Sequence, residues 1–276
     1  MTNYPQKKSK FNFYCTIACV SIVVLMLYYT GTQSINSAQN PFMYVDIKEN
    51  TQIEHIPSDD IVVFDVDYDV TLSETDDAGQ EYIDSIIFLG DSLTYGLRSY
   101  AMLKDGKDTK QVWTPVSGTL TLSQANIINI LFPDTNTEIT IEEAVKIKKP
   151  PILIISIGVN GVSFMSEEYF KNEYIKLVKT IQASSPETII ILQSIFPVAK
   201  SYPHQNSISM EKIITANEWI NTIANETDVK YLNTFTALIG DDGYLPETYQ
   251  NGDGMHFNEV GFETVLNYIR THAYAN

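Results

Sequence analysis

The sequence predicts an α/β fold, a three-layer α/β/α sandwich around a parallel sheet. Largely apolar runs recur at 86–89, 152–157 ("ILIISI"), 188–192 ("TIIIL") and 229–232. Segments with helical apolar spacing lie between the later runs and after the last. The runs do not alternate apolar with polar, so both faces of each strand are covered, as they are in parallel sheets packed between helices.

The chain has 276 residues, room for one sizeable domain and additional segments. Residues 1–10 carry Lys7, Lys8 and Lys10, and residues 11–30 ("FNFYCTIACVSIVVLMLYYT") carry no charge. At about 1.5 Å per residue this run just spans a ~30 Å hydrocarbon core. No Lys or Arg follows until Lys48, an asymmetry that places 1–10 in the cytoplasm and the rest outside. A cleaved signal peptide is the competing reading. The run exceeds the usual apolar length of such peptides, and the nearest small-residue site, ending at Ala38, has Asn36 where a small residue belongs. A retained single-pass anchor is therefore expected, with the remainder at a bacterial cell surface. Cys15 and Cys19 both lie in this run, which leaves the exterior without a disulfide framework or a cysteine metal site.

Residues 31–84 read as a polar, acidic linker. Residues 46–84 hold thirteen acids and one lysine, most of the formal net charge of −16. That sign excludes nucleic-acid binding through a basic footprint. Within it, "IVVFDVDYDV" alternates Asp65, Asp67 and Asp69 with Phe64, Val66 and Tyr68, the period of a half-buried strand, and the charges suit a sheet edge. Asp-x-Asp-x-Asp also opens a calcium loop, but that loop needs Gly and Glu where Val70 and Asp76 stand.

The folded domain is expected over 85–276. Ser166 can cap a helix with Phe170, Tyr174, Leu177, Val178 and Ile181 on one face, ending before Pro186. A second helix near 209–225 aligns Ile213, Ala216, Ile220 and Ile223, and a last one begins near Asn258 with Phe262, Val265, Leu266 and Ile269.

The chemistry is carried by two segments. In "IIFLGDSLTYGL" (86–97) an apolar strand breaks at Gly90-Asp91-Ser92 and turns into a helix, and in "DGMHF" (253–257) Asp253 precedes His256 by three residues. A serine hydroxyl is a weak nucleophile until a base takes its proton, and an acidic neighbour fixes the tautomer of a histidine base. Ser92, His256 and Asp253 are thus the candidate triad of an acyl-transferring site. A helix cap is the plain alternative for Ser92, a surface histidine for His256, and a turn former for Asp91. With so few histidines and no external cysteine, no metal is expected, nor any cofactor. His272 falls at the end of the last helix, where it suits the dipole.

These motifs resemble the SGNH (GDSL-type) hydrolases over roughly the last two-thirds of the chain. "GDSLTYG" resembles the family's nucleophile block, "IGVNGV" the block supplying Asn160 to the oxyanion, and "DGMHF" the block of Asp253 and His256. The resemblance implies a flavodoxin-like sandwich and an oxyanion hole made by the Ser92 N–H, a glycine N–H and the Asn160 side chain. Gly118 in "PVSGTL" is the candidate glycine, with an ordinary loop glycine as its alternative; Asn160, between two glycines, has a left-handed turn as its own. Gly161 stands where the family usually has Asp, a form similar to SGNH domains that act on bacterial surface glycans, peptidoglycan O-acetyltransferases among them. The resemblance implies a serine esterase, and the "GVNG" form with the expected anchor and outside location points to small O-acyl esters, acetyl above all, of a glycan. The alternatives are an O-acyltransferase working with a membrane partner that delivers acyl groups, and a non-catalytic envelope assembly protein.

Overall fold

The computed structural model describes residues 70–274. The predicted cytoplasmic tail at 1–10, the anchor at 11–30 and the linker up to residue 69, with its Asp65, Asp67 and Asp69, lie outside the described residues. Among those described, no helix is long and apolar enough to cross a membrane.

In chain order the elements are α1 (Gly79–Asp84), β1 (Ile86–Gly90), α2 (Ser92–Ser99), β2 (Val112–Trp113), β3 (Asn129–Phe132), β4 (Thr137–Thr140), α3 (Ile141–Lys148), β5 (Ile152–Ser156), α4 (Glu167–Ser184), β6 (Ile189–Gln193), α5 (Met210–Thr227), β7 (Lys230–Leu232), α6 (Phe235–Leu238) and α7 (Glu259–Thr271). Five strands form one sheet in the order β2-β1-β5-β6-β7, with every pairing parallel. Register runs Ile86 to Ile152 to Ile189, and Gly90 pairs with Ser156. β3 and β4 form a separate antiparallel hairpin.

The apolar runs divide cleanly between two faces. Ile87, Leu89, Leu153, Ile155, Ile190 and Leu192 join the core shared with α3, α4 and α5. Ile86, Phe88, Ile152, Ile154 and Ile191 join the core shared with α1, α2 and α7. Alternate side chains point to opposite faces of a strand, so a run with no polar members requires helices on both sides. Ser166 caps α4 by accepting from Tyr169 N–H, Ser209 caps α5 by accepting from Lys212 N–H, and Asn258 caps α7 by accepting from Gly261 N–H. The sequence held a similar signal for α3: Thr140 and Glu143 form a reciprocal capping box.

The boundary expected at residue 85 falls inside the folded body. Val70 is buried, and residues 70–72 pair alongside β7, with Tyr231 N–H donating to Val70 C=O and Leu72 N–H to Tyr231 C=O. Thr75 and Ala78 N–H donate to the Thr271 and Arg270 carbonyls at the end of α7, and Asp77 pairs with Arg270. Acidic composition hid this segment, but carbonyls at a helix end and the open edge of β7 need partners.

Gly90 illustrates how tightly β1 enters the site. A Cβ there would lie 2.0 Å from Thr94 Oγ1 and 2.5 Å from the Ser156 carbonyl oxygen. Gly90→Ala is expected to lower stability by about 1–3 kcal/mol, the usual cost of overpacking. A urea midpoint unchanged from wild type would contradict this.

Candidate active site

Two adjacent strands of the sheet end at the site. β1 leads into Asp91 and Ser92, and its neighbour β5 leads into Asn160. The chain proceeds from β1 to β2 on one side and returns to β5 on the other, so a crevice opens between their carboxyl ends. Asp253 and His256 arrive on the loop before α7, and α7 is locked to α2 where Phe262 packs against Gly96.

Asp91, not Ser92, is the cap of α2: its carboxylate accepts from Leu93 N–H at 3.0 Å. Ser92 is the first helical residue, and its side chain is left for His256. Ser92 Oγ lies 2.8 Å from His256 Nε2, and His256 Nδ1 lies 2.7 Å from Asp253 Oδ2. The carboxylate can only accept, so Nδ1 carries the ring proton, and Nε2 is the acceptor that takes the serine proton. Asp253 Oδ1 accepts from the backbone N–H of Met255 and of His256, both at 2.8 Å. Burial works to raise the Asp253 pKa, but the His256 and Met255 hydrogen bonds outweigh it and hold the carboxyl below its ordinary value. The loop is fixed from outside as well: Gly254 has φ +82°, and Gly252 and Gly254 N–H donate to the Gln250 side chain.

Asn160 lies in a turn but not in the left-handed region, which removes the left-handed reading. Its Nδ2 is buried without a hydrogen-bond partner. A buried amide with an idle donor is costly unless something in the working state accepts from it. The Ser92 N–H, first in α2, has no acceptor within its helix. These two donors, with the positive end of α2, suit an oxyanion forming on carbon bonded to Ser92 Oγ. Gly118 does not complete them: its N–H donates to the Pro115 carbonyl at 2.8 Å, closing a turn, and its Cα surface packs on the Tyr95 ring. Its position after β2 suits the motif, but in this structure its donor is committed. At Gly161 a Cβ would fall 2.6 Å from Met165 Sδ, so no larger side chain fits without moving that methionine.

Asp91 is 2% exposed, and burial pushes its pKa up to about 7 against the opposing pull of Leu93 N–H and His256. The folded state therefore holds a proton that the unfolded carboxyl has lost, so this group's contribution to stability declines as pH rises from about 4 to about 7. Asp91→Asn, which keeps a capping side chain, is expected to flatten that decline. Urea midpoints across this range check it, and equal slopes in both proteins would contradict it. Asp253 acts in a different window, losing its contribution only as pH falls through its lowered value.

Among the described residues no group of three or more His, Cys, Asp or Glu is placed to hold a metal ion. What the arrangement can do is transfer an acyl group: Ser92 Oγ attacks a carbonyl carbon as His256 takes its proton, and His256 returns the proton to the departing oxygen.

Solved structures share this architecture at low identity. A protein from Streptococcus pneumonia, provisionally described as a platelet activating factor, matches at 19% identity and TM-score 0.51 over 69% of this chain and 84% of its own. A GDSL-like lipase from Bacteroides thetaiotaomicron matches at 18% identity and TM-score 0.49 over 70% and 89%. No curated protein matches. The profile of the GDSL-like lipase/acylhydrolase family matches residues 88–263, from within β1 to the second turn of α7, a span that holds Ser92, Asn160, Asp253 and His256; the chain belongs to that family.

Proposed function

We propose that the protein is a serine esterase that hydrolyses small O-acyl esters, acetyl above all, on surface glycans, held at the outer face of a bacterial membrane by residues 11–30. The reading rests first on the hydrogen-bond chain from Ser92 through His256 to Asp253. Openness of the site supports a polymeric substrate: the side chains of His256 and Asp253 are 35% and 49% exposed, so a large glycan can reach them.

A fluorophosphonate probe is expected to label the wild type at Ser92, and equal labelling of Ser92→Ala would sink the reading. Release of free acetate from an acetylated glycan is expected to exceed transfer to added sugar acceptors. Accumulation of acetyl on the acceptor with background acetate release would replace the esterase by an acyltransferase. For the anchor, protease added to intact cells is expected to remove the 70–274 body; a shortened, freely secreted form would show cleavage instead.

A further inference from the structure

The residues that bind the alcohol half of the ester follow from the direction of proton return. His256 hands its proton to the leaving oxygen, so the alcohol departs on the His256 side of Ser92. The segment from Phe196 to Gln205 after β6 forms a wall against the loop that carries His256. Ala199 N–H donates to the Gly254 carbonyl at 2.7 Å, and Tyr202 backbone rests directly on Gly254, where a Cβ would come within 2.7 Å of Tyr202 Cα. The wall is thus bolted to the residue between Asp253 and Met255. It is also rigid within itself: Tyr202 N–H donates to the Ala199 carbonyl, and Gln205 Nε2 donates to the Lys200 carbonyl at 2.8 Å.

At its tip stand two rings. Tyr202 and His204 meet edge to face with centroids 5.7 Å apart, the first partly exposed and the second exposed. The Tyr202 backbone and Cβ lie against Gly254, the residue that follows Asp253; burial raises the phenol pKa, and the Asp253 charge adds to the rise.

We propose that Tyr202 and His204 form the subsite for the leaving alcohol, and that its occupant is a sugar ring. A pyranose presents a face of C–H groups to an aromatic plane and a rim of hydroxyls to polar groups, and this corner offers both an aromatic face and an imidazole. The inference rests on the esterase reading and deepens it, because it assigns alcohol selectivity to a loop that the triad does not need for its own chemistry.

The test uses esters that share or vary one half at a time. Methyl 6-O-acetylglucoside and ethyl acetate carry the same acyl group, and ethyl hexanoate lengthens it. With the full-length protein, Tyr202→Ala and His204→Ala are each expected to lower the ratio of kcat/KM for the glucoside to that for ethyl acetate by about fivefold, mainly through KM. Tyr202→Phe, which keeps the ring, is expected to retain the ratio. An unchanged ratio in both alanine variants would overturn the subsite, as would a uniform loss on both acetates. Selective loss on ethyl hexanoate would make the corner an acyl site and overturn it too. Failure of the wild type to hydrolyse any of the three esters would instead remove the esterase reading on which the subsite depends.

Discussion

Ser92→Ala is expected to reduce ester turnover by about 10⁵-fold or more in kcat, with substrate affinity little changed. Among the described residues the Ser92 hydroxyl is the nucleophile hydrogen-bonded to His256 Nε2. His256→Ala is expected to lose a similar amount, and the double variant no more than either alone, because a nucleophile without its base and a base without its nucleophile are equally idle. Asp253→Ala is expected to lose less, about 10⁴-fold, since the ring keeps its basic nitrogen but loses its orientation and its proton's acceptor. Single-turnover and steady-state kinetics on one ester separate these outcomes. Additive losses in the double variant would show that Ser92 and His256 do not act as a unit.

Asn160→Ala is expected to lower kcat by about 10²–10³-fold with little change in KM, because the oxyanion it serves exists only near the transition state. Its effect on stability is expected to be small or favourable. The buried Nδ2 has no partner in the resting protein, so its removal strips away an unsatisfied donor and breaks no hydrogen bond of that nitrogen. A large loss of rate with an unaltered urea midpoint is a pattern that a merely structural asparagine cannot produce. The reverse pattern, an unfolding transition at lower urea with kcat preserved, would return Asn160 to the role of a turn residue.

Legibility followed the length over which a pattern could accumulate. The runs at 86–89, 152–157 and 188–192 were readable because four or more consecutive apolar residues leave little other interpretation. The helices α4, α5 and α7 announced themselves by periodic apolar residues, with Ser166 ahead of the first and Asn258 ahead of the last. β2 has two residues and β3–β4 form a hairpin off the sheet, so neither builds a signal against the background of a long connection. Residues 70–84 were masked by their charge, since Val70, Leu72 and Ile83 are separated by acids and small polar residues.

The order of residues already pointed to the chemistry: a serine at a strand-to-helix break, an asparagine after a second buried strand and Asp-x-x-His ahead of the last helix are local patterns, each set by short-range turn and cap geometry. Tertiary structure alone decided which donors are free. Whether Gly118 offers its N–H depends on the Pro115 carbonyl that meets it across a turn, and whether Asn160 offers its amide depends on the absence of any acceptor around it. Only packing could likewise show that Asp91 takes the cap and so leaves the Ser92 side chain to His256. A hydrogen bond is a property of two groups and of everything else that could compete for either, and that competition is settled only when distant segments are brought together.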